Sequence, residues 1–379
     1  MLDASPLLSL YAARRRRQLR RQNAVEVQRR QLLRLLAGAR NTRFGKDHRF
    51  HAVNTVERYQ EHVPLRTYDA FWSAYWEAQF PKLVDCTWPG TNPYFAVSSG
   101  TTTGVTKYIP CSSDMVAANR RAALDILVHH QGHRPDTRIL GGLNFMLGGS
   151  TSLVELAPGI KSGDLSGIAA STVPWWARPR YFPPSRLESI TDWEEKIAQM
   201  APDSLERDIR TIAGTPSWLL LFFEKLAELR PSSSRRLAAF YPNLELLVHG
   251  GISFAPYRRT FAELLEGSRA ETREVYAASE GFIAVADRAD GDGLRLIVDN
   301  GLFFEFVPID ELETANPTRH WLADAETGVN YALVLSTCAG LWSYVIGDTV
   351  RLIGRDPPRV LITGRTSYTL SAFGEHLIG

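Results

Sequence analysis

Apolar residues recur at helical spacing through most of the first eighty positions. Val25, Leu32, Leu33 and Leu36 fall on one stripe, and the aromatic residues Tyr68, Phe71 and Tyr75 repeat the period after Pro64 interrupts it. A second helical pattern covers residues 113–128, with a serine placed to cap its first turn. Residues 174–184 hold two tryptophans and four prolines and read as an irregular connection. Residues 186–230 return to helix, with Trp193 and Trp218 as core positions.

The pattern then changes period. Leu244-Glu245-Leu246-Leu247-Val248 runs into His249-Gly250-Gly251, which predicts a buried strand feeding a tight turn, where ligands of α/β sheets collect. Beyond residue 272 strands crowd together, near 275 and over 282–286, 294–298, 302–307, 331–336, 341–346, 349–353 and 360–363. The chain is therefore α/β early and β-rich late, with no internal repeat.

Composition adds limits. At 379 residues and 44% hydrophobic content the chain is globular and long enough to bury a large core. Cys86, Cys111 and Cys338 are odd in number and far apart, which supports neither a disulfide framework nor a zinc knuckle and fits a reducing compartment. No signal peptide or spanning segment is indicated, so a cytoplasmic location is expected. The net charge of +2 hides eleven arginines against two acids in residues 1–45. The arginines from Arg14 to Arg21 read as the wet face of a packed helix; nucleic-acid and membrane readings lack a supporting motif.

Chemistry concentrates in four segments. Ser98-Ser99-Gly100-Thr101-Thr102-Thr103-Gly104-Val105-Thr106-Lys107 combines hydroxyls, flexible glycines and one lysine, a composition able to cradle a polyphosphate; such clusters also occur as ordinary loops. Its Gly104 and Lys107 are separated by two residues, unlike the adjacent pair of P-loop NTPases. Tyr276-Ala277-Ala278-Ser279-Glu280-Gly281 places a ring able to stack on a base beside a carboxylate able to hold magnesium, or is a strand-end tyrosine with a solvated acid. Gly347-Asp348 ends a strand with an acid suited to ribose hydroxyls, or is a turn aspartate. Gly364-Arg365 leaves a strand toward an expected hinge. His129, His130 and His133 lack a carboxylate at H-E-x-x-H spacing, and no G-x-S-x-G nucleophile elbow is present. Asn144, Phe145, Met146, Trp175, Trp176, Trp218 and Phe222 are apolar or amide candidates for a ligand pocket, most of which core packing explains equally well; the resemblance named next implies an organic acid there.

In this order, together with Asn41-Thr42-Arg43-Phe44-Gly45 and Gly214-Thr215-Pro216-Ser217-Trp218, the four segments resemble the auxin-responsive Gretchen Hagen three family of acyl-acid amido synthetases. That family lies within the acyl-adenylating superfamily that includes firefly luciferase. The resemblance covers nearly the whole chain. It implies a large ATP- and acyl-acid-binding domain over residues 1–364, mainly helical over 1–80, with sheets flanked by helices and a barrel-like β-rich part. It also implies phosphate contacts from Ser98, Ser99, Gly100, Thr101, Thr102, Gly104 and Lys107, and an adenine slot at Gly250, Gly251, Ile252 and Tyr276. Ser279 would approach the α-phosphate, Glu280 would hold Mg²⁺, Asp348 the ribose, and Arg365 the hinge side of the nucleotide, which makes Lys107 and Glu280 the catalytic pair. Val345 stands where the family commonly has arginine.

The activity so implied is ATP-dependent conversion of a carboxylic acid to an acyl-adenylate, then transfer to an amine such as an amino acid. Transfer to a thiol such as coenzyme A, or nucleotide binding with little turnover, are the alternatives. Residues 365–379 read as a hinge and the start of a mobile C-terminal domain, and the expectation is that this domain is missing and that the chain binds ATP but turns over slowly.

Overall fold

The computed structural model describes residues 2–99, 106–148, 152–184, 187, 190, 192–231, 234–288 and 293–366. Two sheets organise the chain. A four-stranded sheet is ordered Thr106–Cys111, Tyr94–Ser99, Ile160–Gly163, Val154–Ala157. The second has twelve strands in two arms. Its parallel arm runs Tyr181–Phe182, Leu143–Leu147, Ile209–Gly214, Leu246–Gly250 and Glu271–Ala278. From Glu271–Ala278 the pairing turns antiparallel through Gly281–Val285, Leu294–Leu296, Pro358–Arg365, Tyr344–Arg355, Asn330–Thr337, Leu302–Pro308 and His320–Trp321. The β-rich part is thus an arm of the same sheet, in linear order.

Helices cover the sheets as their stripes require. Ala24–Ala39 buries Leu32, Leu35 and Leu36, and its first turn is closed by the Asn23 side chain, which accepts from the backbone of Glu26. Ser113–His133 is capped by Ser112, whose hydroxyl also donates to the carbonyl of Cys338 and so ties the cap to the far arm. The largest core joins Phe44, Phe71, Trp76 and Trp342 to the antiparallel arm; a second forms around Phe145, Phe222 and Phe261 beside the parallel arm.

Several expectations change. Among the described residues from 192 to 230 the chain forms two helices, Trp193–Leu205 and Pro216–Leu229, with the strand Ile209–Gly214 between them. Ile209 to Gly214 is too short for its period to stand out between helical neighbours. Leu143–Leu147 is likewise a strand. Strands expected at 341–346 and 349–353 are one, Tyr344–Arg355, because residues 341–343 turn back from Asn330–Thr337 with Ser343 left-handed at φ 45°. The loop after Ser99 joins a hairpin, so a second strand precedes the helix at Ser113, which extends to His133. Trp193 and Trp218 meet edge-to-face with ring centres 4.0 Å apart, but Trp218 remains 40% exposed and caps the core from outside. Arg14, Arg17, Arg20 and Arg21 are exposed as expected, whereas Arg15 is drawn inward to bridge Asp125 and Asp299, both at 2.7 Å.

Candidate active site

The site lies where the parallel arm gives way to the antiparallel one. Leu246–Gly250 and Glu271–Ala278 are the last parallel pair, and their carboxyl ends open on one side of the sheet. A Cβ at Gly250 would sit 2.4 Å from the Val275 carbonyl oxygen, so only glycine passes. Gly251 follows in a left-handed conformation at φ 85°. The chain then reverses through Ser279 and Glu280 into Gly281–Val285.

A cavity of about 700 Å³ occupies this corner. Ser98, Gly251, Ile252, Tyr276, Ser279, Glu280, Asp348 and Arg365 all line it, from five separate stretches of chain. Asp348 and Arg365 face one another in register across neighbouring strands, and Arg365 Nη1 reaches Asp348 Oδ1 at 2.9 Å. The Tyr276 hydroxyl donates to Asp348 Oδ2 at 2.6 Å. Burial, with the Asp348 charge adding to it, raises the Tyr276 hydroxyl well above its ordinary value and keeps it a donor. Gly347, at φ 90°, leaves room for the Arg365 guanidinium, which comes within 3.4 Å of where a Cβ would stand.

Glu280 is the most perturbed acid of the site. It is 9% exposed, and burial pushes its carboxyl up to about 7; Asp348 adds to the rise, while Arg365 and Lys107 oppose it. Lys107 stands opposite Ser98 in the hairpin, and its Nζ lies 5.5 Å from the centre of the Tyr68 ring. Ser99 ends the first hairpin strand opposite Thr106. Gly100, Thr101, Thr102 and Gly104 lie outside the described residues.

Of the two buried carboxylates in the cavity, Asp348 is taken up by Tyr276 and Arg365, and Glu280 suits magnesium brought in with a polyphosphate, since that ion takes one or two protein carboxylates and completes its shell from phosphate and water. Among the described residues no group of three or more His, Cys, Asp or Glu side chains converges to hold a metal alone. The helix histidines serve the fold: burial pushes His129 down to about 3, and His130 pairs with Glu271 at 2.8 Å.

The acid-pocket candidates do not share one cavity. Phe145 and Phe222 meet edge-to-face at 4.9 Å inside the second core and line no described cavity. Asn144 and Met146 are half-buried on their strand, Met146 facing a second, smaller cavity. Trp175 is 82% exposed and Trp176 is exposed beside it. Arg258 and Glu274 line the first cavity without having been singled out. Glu274 could have been found from strand alternation, two residues before Tyr276; Arg258, opening the helix Arg258–Leu264, carries no local signal.

This mixed sheet, with a cavity at the carboxyl ends of its parallel strands and Ser98 of the hairpin on its wall, has the fold of solved acyl acid amido synthetases. The solved structure of AtGH3.15 acyl acid amido synthetase in complex with 2,4-DB superposes with a TM-score of 0.76 at 18% identity, over 94% of this chain and 70% of that one. An open conformation of 2-hydroxyisobutyryl-CoA ligase superposes less closely, with a TM-score of 0.59 at 16% identity, over 88% of this chain and 73% of that one. The GH3 family N-terminal domain matches residues 14–151 and the GH3 family central domain residues 295–365, and the chain belongs to the GH3 family. Among curated relatives, the indole-3-acetic acid-amido synthetase GH3.8 of Oryza sativa subsp. indica is 28% identical over 210 residues. That match spans 53% of this chain and 29% of the relative's length.

Proposed function

We propose that this chain activates a carboxylic acid with MgATP as an acyl-adenylate and passes the acyl group to an amine, an amino acid in the first instance. The observation that carries the reading is the convergence of Tyr276, Glu280, Asp348 and Arg365 on one cavity beside the Ser98–Lys107 hairpin. Family membership and the named activity of the amido synthetase relatives support it.

In this reading a carboxylate oxygen of the acid attacks the α-phosphorus and the bond to the β-phosphate breaks, releasing pyrophosphate. The amine then attacks the acyl carbon, AMP leaves, and the amine proton passes to solvent. No protein nucleophile is needed, so the residues act by position and charge. Tyr276 offers a ring face to adenine, and Asp348, already held by Tyr276 and Arg365, accepts from the ribose. Ser98, Ser99, Ser279 and Lys107 meet the phosphates. Glu280 would hold magnesium, which neutralises charge on the phosphoryl oxygens when bound.

Residues 1–364 act here as one ATP- and acid-binding domain, with the hinge from Arg365. No helix among the described residues is long and apolar enough to cross a membrane. The three cysteines are free and buried, which suits the reducing cytoplasm. Transfer to a thiol is the second reading, supported by the fold shared with a CoA ligase.

ATP–pyrophosphate exchange across a panel of carboxylic acids tests activation, and amine against thiol acceptors then tests transfer. Exchange by no acid would refute the adenylation reading.

A further inference from the structure

Lys107 belongs to the four-stranded sheet, whereas Asp348 lies in a strand of the twelve-stranded sheet and Glu280 in a turn between two others. Side chains that act together by charge need their sheets held in a fixed relation. The segment from Arg66 to Tyr68 is joined to both. Arg66 pairs in parallel with Tyr344, at the start of the strand that carries Asp348: its N–H donates to the Ser343 carbonyl at 3.0 Å, and its own carbonyl accepts from the Val345 N–H at 2.9 Å. Thr67 then opens the short helix Tyr68–Phe71 by accepting from the Ala70 N–H. On the other side, the Tyr68 hydroxyl accepts from the Tyr108 N–H at 3.0 Å. Thr106–Cys111 is an edge strand of its sheet, and here a side-chain oxygen does what a neighbouring strand would do.

The ring of Tyr68 is as firmly held as its hydroxyl. It is buried, with the Trp72 ring centre 5.9 Å away and Trp76 edge-to-face at 5.8 Å, so packing locks its orientation. Over its face stands Lys107 Nζ, 5.5 Å from the ring centre, within reach of the attraction between an ammonium and a ring quadrupole. A carboxylate at that place would pin the ammonium and cancel its charge. A ring face pins it and leaves the charge for an incoming anion. The charge is felt across the site, where it opposes the upward push of burial on Glu280.

We propose that Tyr68 is a positioning residue, whose ring seats the Lys107 ammonium, on a strand that its hydroxyl tethers, so that the lysine is held ready for a phosphate. The use of the seat rests on the adenylation reading above; the seat itself does not.

Two measurements on the whole chain test this. The lysines are reductively methylated with isotope-labelled formaldehyde and observed by NMR, and the Lys107 signal is assigned by its disappearance in Lys107→Arg. The ring should displace that signal upfield in the parent and in Tyr68→Phe, and the displacement should vanish in Tyr68→Leu. A parent Lys107 signal among those of exposed lysines overturns the seat, whether or not the leucine variant folds. ATP–pyrophosphate exchange then reads its purpose. Tyr68→Leu should lower exchange about tenfold, in the range of one partly desolvated cation–π contact. In a Lys107→Ala background the same change should cost less than about twofold, because residues that act through one charge do not add. Tyr68→Phe keeps the seat and should cost about threefold or less, as for one neutral hydrogen bond. Equal losses from Tyr68→Leu in both backgrounds, or a Tyr68→Phe as damaging as Tyr68→Leu, would reduce Tyr68 to core packing and overturn the proposal. Absence of exchange in the parent counts against the adenylation reading, and the lysine signal then decides the seat by itself.

Discussion

The strands Leu246–Gly250 and Glu271–Ala278 carry a charged cluster at each end, and the two clusters have opposite uses. At the amino ends, the ring of His130 lies between Glu271 and Thr137, Thr137 donates to Glu245, and Arg273 bonds both Glu271 and the carbonyl of Ala286. At the carboxyl ends, Tyr276, Asp348, Arg365 and Glu280 surround a cavity. Both clusters include buried groups with displaced titrations, His130 in one and Tyr276 and Glu280 in the other, so displacement alone does not mark a functional site. What separates them is saturation: the first set is filled by its own members, while the second leaves open space for a ligand.

Glu280→Gln should break the comparison hardest. It keeps the shape and removes the charge, so pyrophosphate exchange should fall about 10³-fold, in the range of one lost electrostatic contact. Because burial disfavours the charged form, the unfolding midpoint at pH 8 should hold or rise. A magnesium titration that overlays the parent's would make Glu280 a turn acid only.

Glu271→Gln is the mirror case. It strips the counter-charge from His130 and Arg273, and breaking a buried pair costs about 3 kcal/mol. Chemical denaturation should show that loss while exchange per folded molecule stays within twofold. A large activity loss with stability intact would erase the distinction between the two ends.

Lys107→Ala should lower exchange by about 10²-fold with little change in melting temperature, as for one phosphate-facing donor. Unchanged exchange would remove Lys107 from the phosphates. Tyr276→Phe should act more mildly: losing the hydroxyl that donates to Asp348 should raise the KM for ATP about tenfold, as for one charge-assisted hydrogen bond. An effect on kcat alone would argue that the hydroxyl does not organise the ribose acid.

The smallest effect concerns pH. Burial works to lower His130, yet the nearby Glu245 carboxylate, 3.9 Å away, and the hydrogen bond to Glu271 outweigh burial and raise it; the two acids, also opposed by burial, end lowered. A raised histidine stabilises fully below its unfolded value and loses that contribution as pH rises through the folded one. Lowered acids stabilise above their unfolded value and lose it as pH falls through the folded one. The amino-end cluster therefore stabilises most between about pH 4.5 and 6.5. His130→Gln should cost more stability at pH 6 than at pH 9, by urea denaturation at both; equal costs would show that His130 is neutral in the fold.

Much of the carboxyl-end site was legible because its chemistry is local. Tyr276, Ser279 and Glu280 share one turn, and Gly250 and Gly347 stand where side chains collide or φ turns positive. Residues whose role depends on distant partners were not. Arg15 looked like surface charge because Asp125 and Asp299 lie 110 and 284 residues away. Phe145 and Phe222 show why aromatic content cannot separate pocket from core, as both fill each other's surroundings. Ile209–Gly214 was hidden by its length, though it pairs on both sides.

The strand Pro358–Arg365 sits between Leu294–Leu296 and Tyr344–Arg355, pairing with both. Earlier strands of the antiparallel arm thus form two pieces that lack a shared edge until this last strand arrives. On the ribosome, the nascent chain cannot weld them, nor bring Arg365 to Asp348, before residue 365 has left the exit tunnel. The cavity, which needs Asp348 and Arg365 side by side, is therefore completed only when the central strand of the antiparallel arm has emerged, after the strands on either side of it.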